Sequence, residues 1–261
     1  MRSDIAHPSA GRCTLVGAGP GDPELLTLKA IKAIQGATVL LVDDLVSDAI
    51  VALAPPGARV LHVGKRGGCR STPQAFIEKL MIVAAREGQS VVRLKGGDPF
   101  IFGRGGEEME NLRAEGIAVE VINGITAGLA AATSLSVPLT HRSKAHGVIL
   151  VTGHTQPGGE SVDWPSLAAA AQSSRLTLVI YMGVRSAQRL QVALLTGLPA
   201  WTPVAVIQDA SLHTQRHLTS TLGSLAEAID RHGIGSPSII VVGDVITGMA
   251  AAAESVDRRA A

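Results

Sequence analysis

Apolar and polar positions along the first half follow two alternating rhythms. Short runs rich in Val, Leu and Ile predict strands at residues 13–16, 38–42, 59–63, 90–94 and 118–122, with helical spacing between them. Residues 23–35 place Leu25, Leu28, Ala30, Ile31 and Ile34 at helical intervals, and Pro23 opens the segment where its missing N–H costs nothing. Strands alternating with helices predict a parallel sheet covered on both faces. Around residues 138–147 (PLTHRSKAHG) the periodicity lapses into a polar stretch. Strand signals resume at 148–152, 176–182, 204–207 and 239–242, with helical patterns that are fewer and less regular. A further run at 216–221 predicts an extra strand and hence a mixed second sheet. These patterns divide the chain into an N-terminal α/β domain at 12–143, a C-terminal α/β domain at 147–246, and terminal extensions at 1–11 and 247–261. The Ala-rich, then charged tail at 250–261 predicts a helix that frays. No internal repeat or low-complexity linker interrupts the chain, so the two lobes are expected to be tightly connected, with a ligand in the cleft between them.

Composition narrows the class. Of 261 residues, 46% are hydrophobic but only 2% aromatic, so the core must be built from Ala, Val, Leu and Ile, and disorder is excluded as the dominant state. No apolar run approaches the roughly 18 to 20 residues of a membrane span. The opening MRSDIAHPSAGR has charges and a proline where an export signal needs an apolar stretch, so the expected compartment is the cytoplasm. Cys13 and Cys69 make neither a disulfide framework nor a zinc site; Cys13 reads as a small strand residue and Cys69 as an incidental thiol. A net charge of +1 and few aromatics for base stacking argue against nucleic acid as a partner.

Two glycine-rich segments carry candidate chemistry. Gly17, Gly19 and Gly21 (VGAGPGD) follow the first strand and precede a helix, where α/β folds bring backbone N–H groups to a ligand. Asp22 stands where a dinucleotide fingerprint needs its last glycine, although Asp43 follows at about the distance of a ribose-binding carboxylate. The loop alone leaves three readings open: a nicotinamide oxidoreductase, an ordinary nucleotide-fold methyltransferase, or a tight turn needing glycine for conformation. The stretch VRLKGGDPFIFGRGGEE, at the end of a strand, holds two of the chain's three phenylalanines and resists explanation as packing. Gly96 and Gly97 clear space for something to approach the backbone, and Asp98 can accept hydrogen bonds from a ribose or an amine. Glu107 and Glu108 read as negative charges in a helix's first turn. Lys65, Arg66, Arg93, Lys95, Arg104, His141 and Arg142 are expected near strand ends or the domain boundary, forming a local cationic rim for a polyanionic substrate. Asp43 and Asp44 offer a general base or a helix cap. Thr126 in GITA opens a helix, as a cap or a ligand contact. His154 reads as structural, and no metal motif is present.

Taken in order, VGAGPGDPELLTLKA, VGKRGG, RLKGGDPFIFGRGGEE, GITA, PLTHR, VTGH, YMG and SPSIIVVG resemble the tetrapyrrole methylase family, over residues 12–245. The GKRGG and RLKGGDPFIFGRGGEE segments are similar to the members acting on the unmethylated macrocycle rather than to later precorrin methylases or diphthine synthase. The resemblance implies a two-domain α/β fold, with a mostly parallel N-terminal sheet, a mixed C-terminal sheet and S-adenosylmethionine in the cleft between, in a homodimer. It implies cofactor contacts at Pro20, Gly96, Gly97, Asp98, Ile101, Thr126, Ala127, Met182 and Ala210, with Ser238 as a further one. Asp43 is implied as proton acceptor and Lys65 as proton donor. The implied reaction methylates uroporphyrinogen III at C-2 and C-7, giving precorrin-2 for siroheme or cobalamin and releasing S-adenosylhomocysteine. Its eight carboxylates make Arg66, Arg104 and Arg142 the expected anchors. Bifunctional relatives carry an additional N-terminal dehydrogenase and ferrochelatase module; methylation alone is expected here. Val42, Asp44 and Asn123 depart from the family's usual residues, which touches details of the substrate pocket only. The competing readings are an oxidoreductase, a non-catalytic partner-binding subunit and a methylase for another precorrin.

Overall fold

A computed structural model describes residues 11–64, 72–154 and 161–247, and its contacts divide the chain into two units after Thr126. The first unit runs β1 (Arg12–Gly17), α1 (Leu28–Gln35), β2 (Val39–Val42), α2 (Asp48–Val51), β3 (Arg59–His62), α3 (Gln74–Arg86), β4 (Ser90–Lys95), α4 (Gly105–Ala114) and β5 (Ala118–Ile122). Its strands pair in the order β3-β2-β4-β1-β5, all parallel. Alternating side chains divide the core. Val16, Leu40, Val42, Val92 and Leu94 meet Ala30, Ile34 and Ile50 of α1 and α2. Cys13, Leu15, Leu41 and Val91 meet Ile77, Met81 and Leu112 of α3 and α4. Because every strand points the same way, the loops after β1, β2, β4 and β5 gather at one edge.

The segment at 23–35 is not one helix. Asp22 caps a single turn at Pro23–Leu25, the chain then extends through Leu26 and Thr27, and the Thr27 hydroxyl accepts the Ala30 N–H at 3.1 Å to start α1. Two capping side chains in one apolar pattern produced two starts.

The second unit comprises α5 (Ala127–Ser134), β6 (Gly147–Thr152), α6 (Trp164–Ser174), β7 (Leu176–Tyr181), α7 (Ala187–Leu194), β8 (Pro203–Gln208), β9 (Arg216–Thr221), α8 (Leu225–His232) and β10 (Ser238–Val242). Its strands pair β6-β7-β10-β8-β9; only β6 and β7 are parallel, and the extra strand read at 216–221 is β9. Helices α6, α7 and α8 cover one face, and α6 is nearly hidden in the sequence because WPSLAAAAQSS has little polar contrast. Helix α5 packs on the other face, where Tyr181 Oη accepts the Gly128 N–H at 2.9 Å. A Cβ at Gly128 would lie 2.4 Å from that oxygen. This packing draws α5 into the second unit, so the division falls ahead of the polar stretch at 138–147. Among the described residues no helix is long and apolar enough to cross a membrane. Cys69 and the tail at 250–261 lie outside the described residues.

Candidate functional site

At the C-terminal edge of the first sheet, three glycines bring three backbones into contact. A Cβ at Gly17 would sit 2.4 Å from the Gly124 nitrogen and 2.8 Å from the Gly97 oxygen; one at Gly124 would sit 2.3 Å from that same oxygen. Gly19 and Gly97 exchange hydrogen bonds, with the Gly97 N–H donating to the Gly19 carbonyl at 2.7 Å and the Gly19 N–H to the Gly97 carbonyl at 3.1 Å. Both adopt φ of +69°, a region that favours glycine. These N–H groups are spent on each other. A pyrophosphate cradle needs them turned outward, so the conformational reading of VGAGPGD is the one realised.

Asp98 locks the arrangement. It is 5% exposed, its Oδ1 accepts the Phe100 N–H at 2.8 Å, and its Oδ2 accepts the Gly124 N–H at 3.1 Å and Asn123 Nδ2 at 3.2 Å. Asn123, a departure from the family pattern, thus supplies a donor. Beyond Asp98 the chain presents Phe100, Ile101 and Phe102 uncovered, and Phe102 and Arg104 hold positive φ of 53° and 58°. Non-glycine residues in that region store local strain. Pro20 is partly exposed in the loop after β1, the partly exposed Gly96 and Gly97 precede these side chains in sequence, and a Cβ at Gly96 would meet Leu45 Cβ at 2.8 Å. Arg104 forks onto Glu107, with Nε to Oε1 at 3.0 Å and Nη2 to Oε2 at 2.5 Å. These hydrogen bonds raise the arginine's pKa and lower the glutamate's. Lys65 and Arg66 lie outside the described residues.

The cationic rim is corrected in part. Arg93 and Lys95 are 2% and 3% exposed, because the two-residue period of β4 turns them to the same face as Val91, beneath α3 and α4. Glu108 does stand in the first turn of α4, but it is fully buried and anchors both cations. Its Oε1 receives Gln74 Nε2 at 2.9 Å, Arg93 Nε at 3.1 Å and Lys95 Nζ at 3.1 Å. Burial lowers the Lys95 pKa, helped by Arg93 and opposed by Glu108. Burial, then the Glu108 charge, pushes the Cys13 thiol up to about 12. Asp43 hangs from the end of β2: its N–H donates to Leu94 O at 3.0 Å, its Oδ1 accepts the Asp44 N–H at 3.0 Å, and Arg93 Nη2 stands 3.8 Å from that Oδ1. The alternation in VVRLK was the signal for this cluster.

Thr126, 6% exposed, ends the first unit and Ala127 begins α5. In the second unit, Met182 follows β7 half-exposed at φ 55°, while Ala210 follows β8, buried between Asp209 and Ser211 at φ 51° and 70°. The pairings Tyr181 with Ile239 and Gln208 with Ser238 bring Met182, Ala210 and Ser238 to one edge of that sheet. Ser238 Oγ donates to the Gly235 carbonyl. His154, exposed, follows β6 at the same edge. Arg142 is not brought there. It is exposed ahead of β6, at the sheet's other end, and lines a hollow of about 430 Å³ with His141 and His146. Among the described residues no group of three or more His, Cys, Asp or Glu is placed to hold a metal ion.

Comparison with known proteins gives this arrangement relatives. The family model of the tetrapyrrole (corrin/porphyrin) methylases matches residues 12–226, spanning both units. A uroporphyrinogen-III C-methyltransferase of Pseudomonas aeruginosa is 54% identical over 237 residues, covering 90% of this chain and 94% of that protein. Siroheme synthase 2 of Aeromonas hydrophila is 47% identical over 93% of this chain but only 51% of its own length, so this chain spans about half of it. The crystal structure of the Thermus thermophilus uroporphyrin-III C-methyltransferase, in complex with S-adenosylhomocysteine, is 40% identical with a TM-score of 0.77, covering 91% of this chain and 99% of that one.

Proposed function

The chain belongs to the tetrapyrrole methylases, and from that premise we infer that it methylates uroporphyrinogen III at C-2 and C-7 with S-adenosylmethionine, giving precorrin-2 for siroheme or cobalamin. The observation that carries this reading is the 54% identity, over nearly the full length of both proteins, to a relative bearing that activity's name. The cofactor suits what the chain presents. Exposed Ile101 with its phenylalanine neighbours offers apolar surface for an adenosyl group, a few residues on from the partly exposed Gly96 and Gly97. Pro20, Asp98 and Thr126 of the first unit are further cofactor contacts in this reading, as is Ala127 at the start of α5, with Asp98 acting through the loops it clamps. Met182 and Ala210 occupy strained turns that share a sheet edge in the second unit.

When bound, the cofactor supplies a methyl carbon made electrophilic by its sulfonium. The chain's own task is positioning: holding an electron-rich pyrrole carbon in line with that methyl is worth far more than making a nucleophile. Methylation leaves the macrocycle with a positive charge that is discharged by losing a proton. Asp43, half-exposed at the end of β2, is the acceptor in this reading, and Lys65 the donor. Arg66 and Arg104 anchor substrate carboxylates, and the protein works as a homodimer in the cytoplasm.

Anaerobic incubation of the protein with uroporphyrinogen III and methyl-labelled S-adenosylmethionine, followed by mass analysis of the tetrapyrrole, tests the reading. Two added methyl groups are expected, with the rate collapsing in Asp43→Ala and Lys65→Ala and KM rising in Arg104→Ala. No methyl gain despite S-adenosylhomocysteine binding would move the substrate to a later precorrin.

A further inference from the structure

The charges under the loops of the first sheet do not balance without Asp43. Arg93 and Lys95 are both buried and face a single buried carboxylate, Glu108. A buried cation left without a counter-charge is costly. Among the described residues the second anion within reach is Asp43, whose side chain is 35% exposed and whose Oδ1 lies 3.8 Å from Arg93 Nη2.

The guanidinium has little freedom to go elsewhere. Its Nε is held by Glu108 at 3.1 Å, and Nη1 points at the carbonyls of Leu41 and Leu94, each 3.4 Å away, at the ends of β2 and β4. Asp43 is itself tied to Leu94 through its backbone N–H. Arg93 is therefore fixed relative to the strand end from which Asp43 projects. On Asp43, Oδ1 takes both the Arg93 charge and the Asp44 N–H, whereas the hydrogen bonds and ion pairs found among the described residues leave Oδ2 without a protein partner.

We propose that Arg93, held by Glu108, is a positioning residue that claims Asp43 Oδ1 and so leaves Oδ2 as the oxygen that takes the proton from the methylated macrocycle. This rests on the reading of Asp43 as proton acceptor. In that step a bond to hydrogen in the macrocycle breaks, its electron pair stays in the ring system and cancels the positive charge, and the proton forms an O–H bond on Oδ2. Arg93 touches neither substrate nor cofactor; it acts through Asp43.

The test is a double-mutant cycle read by methyl transfer to uroporphyrinogen III, with S-adenosylhomocysteine affinity and thermal unfolding measured on every variant. Asp43→Asn is expected to lower kcat on the order of 100-fold, the lower range for loss of a general base. Arg93→Gln, which leaves Lys95 and Glu108 as a balanced pair, is expected to lower kcat about tenfold, with KM and S-adenosylhomocysteine affinity within about twofold of the parent. In the Asp43→Asn background Arg93→Gln should cost nothing further. An equal loss in both backgrounds, or a raised KM with kcat intact, would overturn the proposal and make Arg93 merely structural. Full kcat in Asp43→Asn would instead remove the proton-acceptor reading itself, so the two failures differ. If Arg93→Gln does not fold, Arg93→Lys replaces it: the ammonium still meets Glu108 but lacks the fork to reach both carboxylates, so the same loss is expected, and full activity sinks the idea.

Discussion

Gly124→Ala puts the convergence of backbones at the first sheet's edge to a quantitative test. The new Cβ would stand 2.3 Å from the Gly97 oxygen and 2.7 Å from the Gly17 carbonyl carbon, where ordinary contact needs roughly 1 Å more. None of these atoms is free to yield. Gly97 is paired both ways with Gly19, Ala18 N donates to Lys95 O at 2.8 Å, and the Gly124 N–H is committed to Asp98. Overpacking against a rigid wall costs about 1–3 kcal/mol. Losing a hydrogen bond to a buried carboxylate adds about 1.5–3 kcal/mol. A total of about 2.5–6 kcal/mol, at roughly 2–4 °C per kcal/mol for a chain of this size, predicts a melting temperature lowered by about 10 °C. Thermal unfolding monitored by circular dichroism reads this directly. Gly106→Ala is the control: its Cβ would meet nothing within 4 Å inside α4, so stability should rise by about 0.5–1 kcal/mol. A Gly124→Ala protein melting within about 2 °C of the parent would refute the claim that these glycines exist for backbone contact.

Asp98→Asn keeps the shape but offers one accepting oxygen to three donors, so the variant should lose about 2 kcal/mol in denaturant unfolding and bind S-adenosylhomocysteine more weakly as the loops part. Thr27→Ala removes the hydroxyl that starts α1 and should cost about 1 kcal/mol by the same assay without changing kcat. For Cys13 the sign follows from its raised pKa. Between the ordinary 9.0 and about 12 the folded chain keeps a proton that the unfolded chain has released, so stability present below pH 9 is lost as pH rises. The stability advantage of the parent over Cys13→Ala should shrink by about 1 kcal/mol between pH 9 and 10, and a difference that stays constant with pH would sink the assignment.

The strands were legible because two-residue alternation and continuous apolar runs survive any tertiary context: all ten lie where the pattern put them, including β9. Helices were less so. An apolar stripe does not say which of two capping residues starts the helix, which is why 23–35 split at Thr27. Alanine-rich α6 offers almost no contrast between its faces. The division after Thr126 could not be read at all, because it depends on α5 packing beside Tyr181, a contact across fifty-three positions of sequence. Among candidate site residues, the glycines and Asp98 were visible as an improbable cluster, but their roles differ from first appearance: they hold backbone to backbone. Arg93 and Lys95 carried the opposite error, since charge alone reads as surface until the register of β4 is applied.

That buried cluster is hard to justify by stability. Replacing a buried ion pair by well-packed apolar side chains is often neutral or stabilising by about 1–4 kcal/mol, so folding alone gives no reason to keep three charged side chains under β4 and α4. Aliphatic residues would suit the surrounding face, where Leu15, Leu41, Met81 and Leu112 are fully buried. Burial, with the Glu108 charge second, raises the Cys13 thiol, and burial, with Arg93 second, disfavours the Lys95 ammonium, both signs of an environment that resists ionisation. What they provide instead is a fixed positive charge at the end of β2, beside Asp43, the carboxylate proposed above to take the macrocycle's proton. A local departure from good packing that sits under a reactive group is the expected place for function to override stability. On that argument a variant carrying Arg93→Met, Lys95→Met and Glu108→Leu together should unfold at or above the parent's temperature while losing most of its methyl transfer. A stable variant with full turnover would show that the charges serve neither purpose.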